Sequence, residues 1–321
     1  MHIEKLLHIA PYEGSGNVKT YYQQLFEGIC SKLLLEFTLC VGKTDQYRLL
    51  EVEAYLYDEE TYTDPYTHNH PRQRVPGRWH FHCVGMSSGF RGGSRKGLDV
   101  NIGDGRMACK GGVLIRAIQH KKTGAVIDGP CLLVDAILRH LKVTSIQNLV
   151  DTYFQHSNGN AGDEKSGFWL KHEPPELDTA LLRKRPNIDP SAAVVYRSIR
   201  IGLGIKGKND YMHRLNYIGR PYRFVIYPHL LNKGKLWLAL ELIENSSFST
   251  SEIATTLNMK KSIVDAYQAS FLDGKKHAES VLKTCTRTKD MVSGNADWKC
   301  KALGAIRWWE EQTEQGKDVT F

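Results

Sequence analysis

The run Leu49-Leu50-Glu51-Val52-Glu53-Ala54-Tyr55 constrains this chain more than any other stretch. Read with a period of two residues, Leu50, Val52 and Ala54 face one side and Glu51, Glu53 and Tyr55 the other. The pattern predicts a strand with an apolar back and a front that carries two carboxylates beside a phenol. A strand that only buries one side usually shows Thr, Lys or Ser on its open face. A carboxylate next to a tyrosine on a rigid strand is placed to hold a base and a flat ring together. An ordinary half-exposed strand gives the same alternation, so other elements must decide between the two.

The chain has 321 residues, 41% of them hydrophobic, enough for one large core or two domains that fold. No run approaches the roughly eighteen consecutive apolar residues of a membrane span. The start, Met1 to Lys5 followed by His8, Pro11, Tyr12 and Glu13, lacks the apolar segment and cleavage site of a secretory signal. The cysteines (Cys30, Cys40, Cys83, Cys109, Cys131, Cys285, Cys300) are odd in number and form no Cys-x-x-Cys pair. They are expected to be buried free thiols in a reducing compartment, which argues against a structural zinc built from cysteines. The net charge of +8 decides little by itself, but its distribution is informative. Arg72, Arg74 and Arg78 precede one strand candidate, and Arg91, Arg95 and Lys96 follow it in a Gly/Ser-rich stretch. Basic loops beside strands suit a phosphate backbone; a solvated loop is the plainer alternative.

Along the chain, Tyr21, Tyr22, Leu25, Phe26 and Ile29 have the spacing of an amphipathic helix over residues 16 to 35. Strands are predicted at 33–41, 48–56, 79–84, 98–102, 113–118, 168–170, 194–203 and 222–227, and a helix from Leu132 to Leu141. Residues 58 to 76 form a long polar loop with three prolines, a length that is often functional. Arg116 interrupts the apolar run 113–118, and a mid-strand arginine needs a partner if it is buried. Glu53 is the natural candidate. Mixed strands with occasional helices imply an α+β domain ending near residue 245.

These pieces, in this order, resemble the alkyladenine (3-methyladenine) DNA glycosylases of the mammalian type. The resemblance rests on Val52-Glu53-Ala54-Tyr55; Trp79 to Val84 with Gly85-Met86; Val100-Asn101; Val113 to Ile118; Gly129-Pro130; Trp169-Leu170; Arg200 to Gly204; and Arg220-Pro221-Tyr222-Arg223-Phe224. It covers roughly residues 20 to 230. It implies a single mixed, mostly antiparallel curved β-sheet with flanking helices, carrying a C-terminal helical extension. It also implies a monomeric enzyme that acts on double-stranded DNA without metal or organic cofactor. Such an enzyme is intracellular, nuclear in a eukaryote and otherwise in the cytoplasm or nucleoid. It flips an alkylated or deaminated purine out of the duplex and hydrolyses its N-glycosidic bond.

By the same resemblance Glu53 is the general base and Arg116 orients it and the water. Tyr55 and Phe81 stack on the flipped base, Asn101 discriminates among purines, and the backbone at Ile201 closes one side of the water site. A pocket histidine is His68 or His70, with His68 preferred.

The family's wedge residue, a tyrosine, aligns with Val84, which can wedge only weakly. Ser87 to Lys96 looks inserted at this place, so its Phe90 is a second candidate for the wedge, with Arg91, Arg95 and Lys96 on phosphates. A surface insertion without such a role is the alternative. His80-x-His82 puts two imidazoles on one strand face, a spacing that metal sites use. No acid or cysteine set completes a shell in the sequence, so no metal is expected. Beyond residue 245 the resemblance stops. Residues 246–321 are expected to be a separate helical extension in which Ser249 to Asn258 and Ser262 to Tyr267 suggest a helix-turn-helix. Generic helical packing gives the same pattern. Trp298, Ile306 and Trp309 would pack on the main domain. Two rival functions remain: a DNA-binding protein that kept the fold and lost efficient catalysis, and a glycosylase for another modified base.

Overall fold

The computed structural model describes residues 2–14, 16–86, 89–157, 159–173, 194–288, 291–317, 319 and 321. The strand predicted at 48–56 is the middle of a longer one. After β1 (Phe37–Val41), the chain turns at Gly42, whose φ of 59° suits a residue without Cβ, into β2 (Asp45–Asp58). β3 (Tyr62–Thr63), β4 (Trp79–Phe81), β5 (Leu98–Ile102), β6 (Cys109–His120), β7 (Val126–Asp128) and β8 (Phe168–His172) follow. The sheet runs β4-β5-β6-β2-β1-β8 with antiparallel ladders, and β3 and β7 pair with β2 and β6. Trp79 Nε1 on β4 donates to Phe168 O on β8 at 3.1 Å, so the ends of the path meet and the sheet curls into a half-barrel. The α+β class and the curved, mostly antiparallel sheet are as the sequence predicts.

The apolar back of β2 is the inner face of this curl. Leu50, Val52 and Ala54 are joined there by Val113, Ile115, Leu98, Val100, Trp79 and Phe81, all buried. After the short α1 (Ile3–Leu7), α2 (Val18–Glu36) packs against β2, with Tyr22, Phe26, Ile29, Cys30, Leu33 and Leu34 buried. Its start is fixed by Asn17, whose side chain accepts from the amides of Lys19 and Thr20 at 2.9 and 3.2 Å. The helix runs to Glu36, so the predicted strand 33–41 begins only at Phe37. α3 (Pro130–His140), opened by Pro130 at its first position, lies against β6 and β7.

The boundary expected at residue 245 needs correction. The chain divides into one unit of residues 1–195 with Phe224–Leu231, and a second of Tyr196–Arg223 with Asn232–Phe321. Of the strand predicted at 194–203 only Tyr196–Ser198 forms. The second unit is helical: α4 (Tyr211–Ile218), α5 (Lys235–Asn245), α6 (Thr250–Leu257), α7 (Lys261–Lys276), α8 (Ala278–Arg287) and α9 (Ala296–Glu314). α5 belongs here because it packs on α6 and α7.

The expected pair of helices around a short turn is present as α6 and α7. Ser249 and Glu252 form a reciprocal cap on α6, and Asn258 in the left-handed conformation ends it. Trp298, Ile306 and Trp309 are buried on α9, which packs along α7 within this unit. The two helices touch backbone to backbone. A Cβ on Gly274 would lie 2.1 Å from Lys301 O, and one on Gly304 would lie 2.1 Å from Phe271 O. Beside them Arg307 ties Glu241, Glu244 and Glu310 at 3.0, 2.8 and 2.8 Å.

Candidate active site

Glu51, Glu53 and Tyr55 share the face of β2 opposite the apolar core, and this face is not open. Glu51 is 1% exposed and Glu53 0%. Two carboxylates in such surroundings need a cation, and Arg116 supplies it from the neighbouring strand. Arg116 Nε donates to Glu51 Oε1 at 2.8 Å and Nη1 to Glu53 Oε2 at 3.3 Å. The ladder is locally irregular here: Glu51 sits opposite Ala117 and Val52 opposite Ile115, leaving Arg116 out of register at a bulge. Burial works against the guanidinium charge, but Glu53 and Glu51 outweigh it, so the Arg116 pKa rises. Tyr55 adds a donor, its hydroxyl 2.8 Å from Glu53 Oε2.

The same face continues across β6 and β5. Glu53 pairs with Leu114 and Leu114 with Asp99; Tyr55 pairs with Gly112 and Gly112 with Asn101. Gly112 thus leaves the ground between Tyr55 and Asn101 without a side chain. A Cβ there would meet Asp99 Cβ at 2.8 Å. Asn101 is fully buried; its Nδ2 donates to Arg72 O at 2.8 Å, while its Oδ1 has no partner among the described residues. The Gly111-Gly112 pair inside β6 is the sequence signal of this close approach.

Beyond Asp99 stands a group of histidines. His80 pairs with Asp99 across β4 and β5, His82 Nε2 lies 3.1 Å from Asp99 Oδ1, and Gln73 Nε2 donates to Asp99 Oδ2 at 3.0 Å. Burial would raise the Asp99 pKa, but His82, His80 and His68 outweigh it and bring it down. His68 is here, its ring 5.5 Å from His80, 5.6 Å from His82 and 5.9 Å from His70. Its pKa is lowered, first by burial and then by His82. His80 is 2% exposed, and burial pushes it down to about 3. His70 has a local duty: its Nδ1 accepts from the Arg72 amide at 3.2 Å and caps the 3-10 turn Pro71–Arg74. His70 and His80 also lie with Cys83 in a buried group whose ligand atoms could share a metal ion. A second such group, Asp58, Asp104 and Cys109, is already served by Arg106, which pairs with both carboxylates.

Two expectations are corrected. Phe81 pairs with Leu98 and so faces the barrel interior, on the opposite side of the sheet from Tyr55. Its ring sits 6.0–6.1 Å from Phe154, Phe168 and Phe90, and it is 2% exposed. The residue of β4 that shares the face of Asp99 is His80. Phe90 is no protruding wedge either: it turns edge-on to Phe81, with the Arg72 guanidinium 5.5 Å above its ring.

The residues that protrude are Val84 and Met86, 58% and 67% exposed on either side of Gly85. Ser87 and Ser88, part of the expected insertion, lie outside the described residues. The rest closes as a hairpin, with Val84 N bonded to Gly89 O at 2.9 Å and Arg91 N to His82 O at 2.8 Å. Arg91 Nε donates to Cys83 O at 2.8 Å, and Lys96 pairs with Asp135. Arg95 is exposed at the rim of a groove of about 600 Å³ lined by Val84, Gly85, Arg91, Gly92, Gly93, Ser94 and Arg95. Ile201 belongs to the second unit, in the turn after Tyr196–Ser198.

No helix among the described residues is long and apolar enough to cross a membrane. No family model matches the chain, and no solved structure matches it. It is similar to an uncharacterized protein of Acanthamoeba polyphaga mimivirus, with 28% identity over 232 residues. The aligned part is 68% of this chain and 91% of the viral one.

Proposed function

We propose that this protein is a monofunctional DNA glycosylase that hydrolyses the N-glycosidic bond of an altered purine turned out of a duplex. The observation that carries this reading is the set of buried Glu53 and Arg116 with half-buried Tyr55 on rigid strands. Glu53 takes a proton from water as the water oxygen bonds to the sugar carbon. The glycosidic electron pair leaves with the base, and the carboxylate charge favours the oxocarbenium-like transition state. Arg116 and the Tyr55 hydroxyl hold the carboxylate in one orientation. Asn101 Oδ1, buried without a partner among the described residues, suits a base that donates one hydrogen bond. Val84 and Met86 protrude beside a basic groove and take the place expected of the wedge, with Arg91, Arg95 and Lys96 on phosphates. The enzyme works as a monomer inside the cell, without a cofactor in the chemical step.

A second reading is supported by one observation. The Glu53 oxygen that meets Tyr55 also meets Arg116, a fully engaged arrangement in a side chain with no exposure. Such a set suits a DNA-binding protein that kept the fold without efficient catalysis. Duplexes carrying alkylated, deaminated or other modified bases separate the readings. Base release by the wild-type chain, lost in Glu53→Gln at unchanged DNA affinity, supports the enzyme and identifies the lesion. Tight binding without release supports the binding protein, and neither binding nor release rejects both.

A further inference from the structure

We propose that His70, His80 and Cys83 form a binding site for one borderline-soft divalent cation of the zinc type. Each residue offers one ligand atom, these atoms lie within 4.8 Å of one another, and all three residues are buried. They come from three segments: the end of the long loop, β4, and the start of the protruding hairpin. The proposal does not depend on the glycosylase reading.

The second observation is His80. Its Nε2 is buried without a hydrogen-bond partner among the described residues. The neighbouring rings differ in this respect, since His82 has Asp99 and His70 has the Arg72 amide. A buried imidazole nitrogen left unmatched is costly, and a metal ion is a partner that a neutral imidazole accepts.

Two imidazoles and a thiolate select zinc, or cobalt as its substitute, over magnesium and calcium, which take oxygen donors. Tetrahedral zinc needs bonds of about 2.0–2.3 Å, so the three atoms must draw in slightly around the ion. A fourth ligand would be water or, after its ring shifts, His68, which lies outside the set at 5.5 and 5.9 Å ring to ring from His80 and His70.

The facing charges are mixed. Burial pushes the Cys83 thiol up, and Arg72, whose Nη1 lies 3.9 Å from Cys83 Sγ, and Arg91 oppose it only in part. Asp99 supplies a negative charge on the histidine side. Binding converts the Cys83 thiol to a metal thiolate and releases one proton. If the ion takes Nε2 of His70, that ring moves its own proton to Nδ1 and gives up the Arg72 amide, a small loss beside a metal–thiolate bond. The bound ion would tie the long loop and the root of the Val84–Met86 hairpin to β4.

The full chain, stripped with chelator, is titrated with cobalt(II). The expected result is a thiolate-to-cobalt charge-transfer band that saturates at one equivalent, disappears on adding zinc, is lost in Cys83→Ser and survives in Cys109→Ser. X-ray absorption of the zinc-loaded wild-type chain should show one sulfur with two or three imidazole nitrogens, which settles the matter should Cys83→Ser fail to fold. Zinc should also raise the melting temperature of the wild type and not of His80→Ala. No band, a band that persists in Cys83→Ser, or a zinc shell without imidazole would overturn the proposal.

Discussion

The Tyr55 hydroxyl donates to Glu53 Oε2 at 2.8 Å, onto the oxygen that also receives Arg116 Nη1 at 3.3 Å. With Glu51 bonded to Nε of the same guanidinium, one cation holds two buried carboxylates. Removing it as Arg116→Met takes away the cation that both buried charges share and should lower stability by about 3–5 kcal/mol. Arg116→Lys should rescue only part of this, because a point-charge ammonium on a different stem does not reproduce the planar fork that sets Nε on Glu51 and Nη1 on Glu53. Adding Glu51→Gln to Arg116→Met should recover part of the loss, and denaturant unfolding of the single and double variants measures it. Strictly additive losses would contradict the shared-cation picture.

The histidine group gives a pH dependence of definite sign. His80 is brought from 6.5 down to about 3 by burial, with His68, His70 and His82 adding to the depression and Asp99 opposing it. The unfolded chain therefore binds a proton that the folded chain refuses. This contribution is fully present above about pH 6.5 and is lost as the pH falls toward 3, by up to about 1.4 kcal/mol per pH unit. Asp99, also depressed, adds its own loss only below its ordinary value of 3.8. Denaturation of the metal-free protein from about pH 6 to about pH 4.5 should show this slope, and His80→Gln should flatten it. Equal slopes would show that His80 is solvated in the native state.

The alternation in β2 made the composition of the site face legible, since period two fixes which side chains travel together. It could not say that both faces would be buried, because Glu51 and Glu53 read as the open side of a half-covered strand. Phe81 shows the same limit. Its company with Trp79 and Cys83 was visible, but the face they join is set by the pairing of Phe81 with Leu98, a contact between segments remote in sequence. His70, His80 and Cys83 meet only after the long loop folds back onto β4, so their spacing in the chain carried no sign of a shared shell. The boundary near residue 245 failed for a related reason: α5 looks like the tail of the sheet region and is placed by packing on α6 and α7.

The basic loop should act unevenly on DNA. Arg95 is exposed, whereas Lys96 is held by Asp135 and Arg91 Nε is bonded to Cys83 O. If the groove binds phosphate, Arg95→Ala should reduce the slope of log K against log salt by about 1, and Lys96→Ala by less. Duplex affinity measured across a salt series distinguishes them. Equal slopes for wild type and Arg95→Ala would remove the loop from the interface.

The α7–α9 crossing permits a test in which two effects oppose each other. Alanine is favoured over glycine inside a helix by about 1 kcal/mol, so Gly→Ala stabilises where there is room. Gly28 on α2 has room, since an added Cβ would meet nothing within 4 Å, and Gly28→Ala should gain about 0.5–1 kcal/mol. At Gly274 and Gly304 the added carbon would lie 2.1 Å from a carbonyl oxygen of the facing helix, which is backbone and cannot swing aside. The helices must part, withdrawing Trp298, Leu303 and Ile306 from a buried seam, so overpacking wins. Gly274→Ala and Gly304→Ala should each lose roughly 1–3 kcal/mol net, read as a lower melting temperature beside the raised one of Gly28→Ala. A gain at either crossing glycine would mean that the two helices do not approach as closely as 2.1 Å implies.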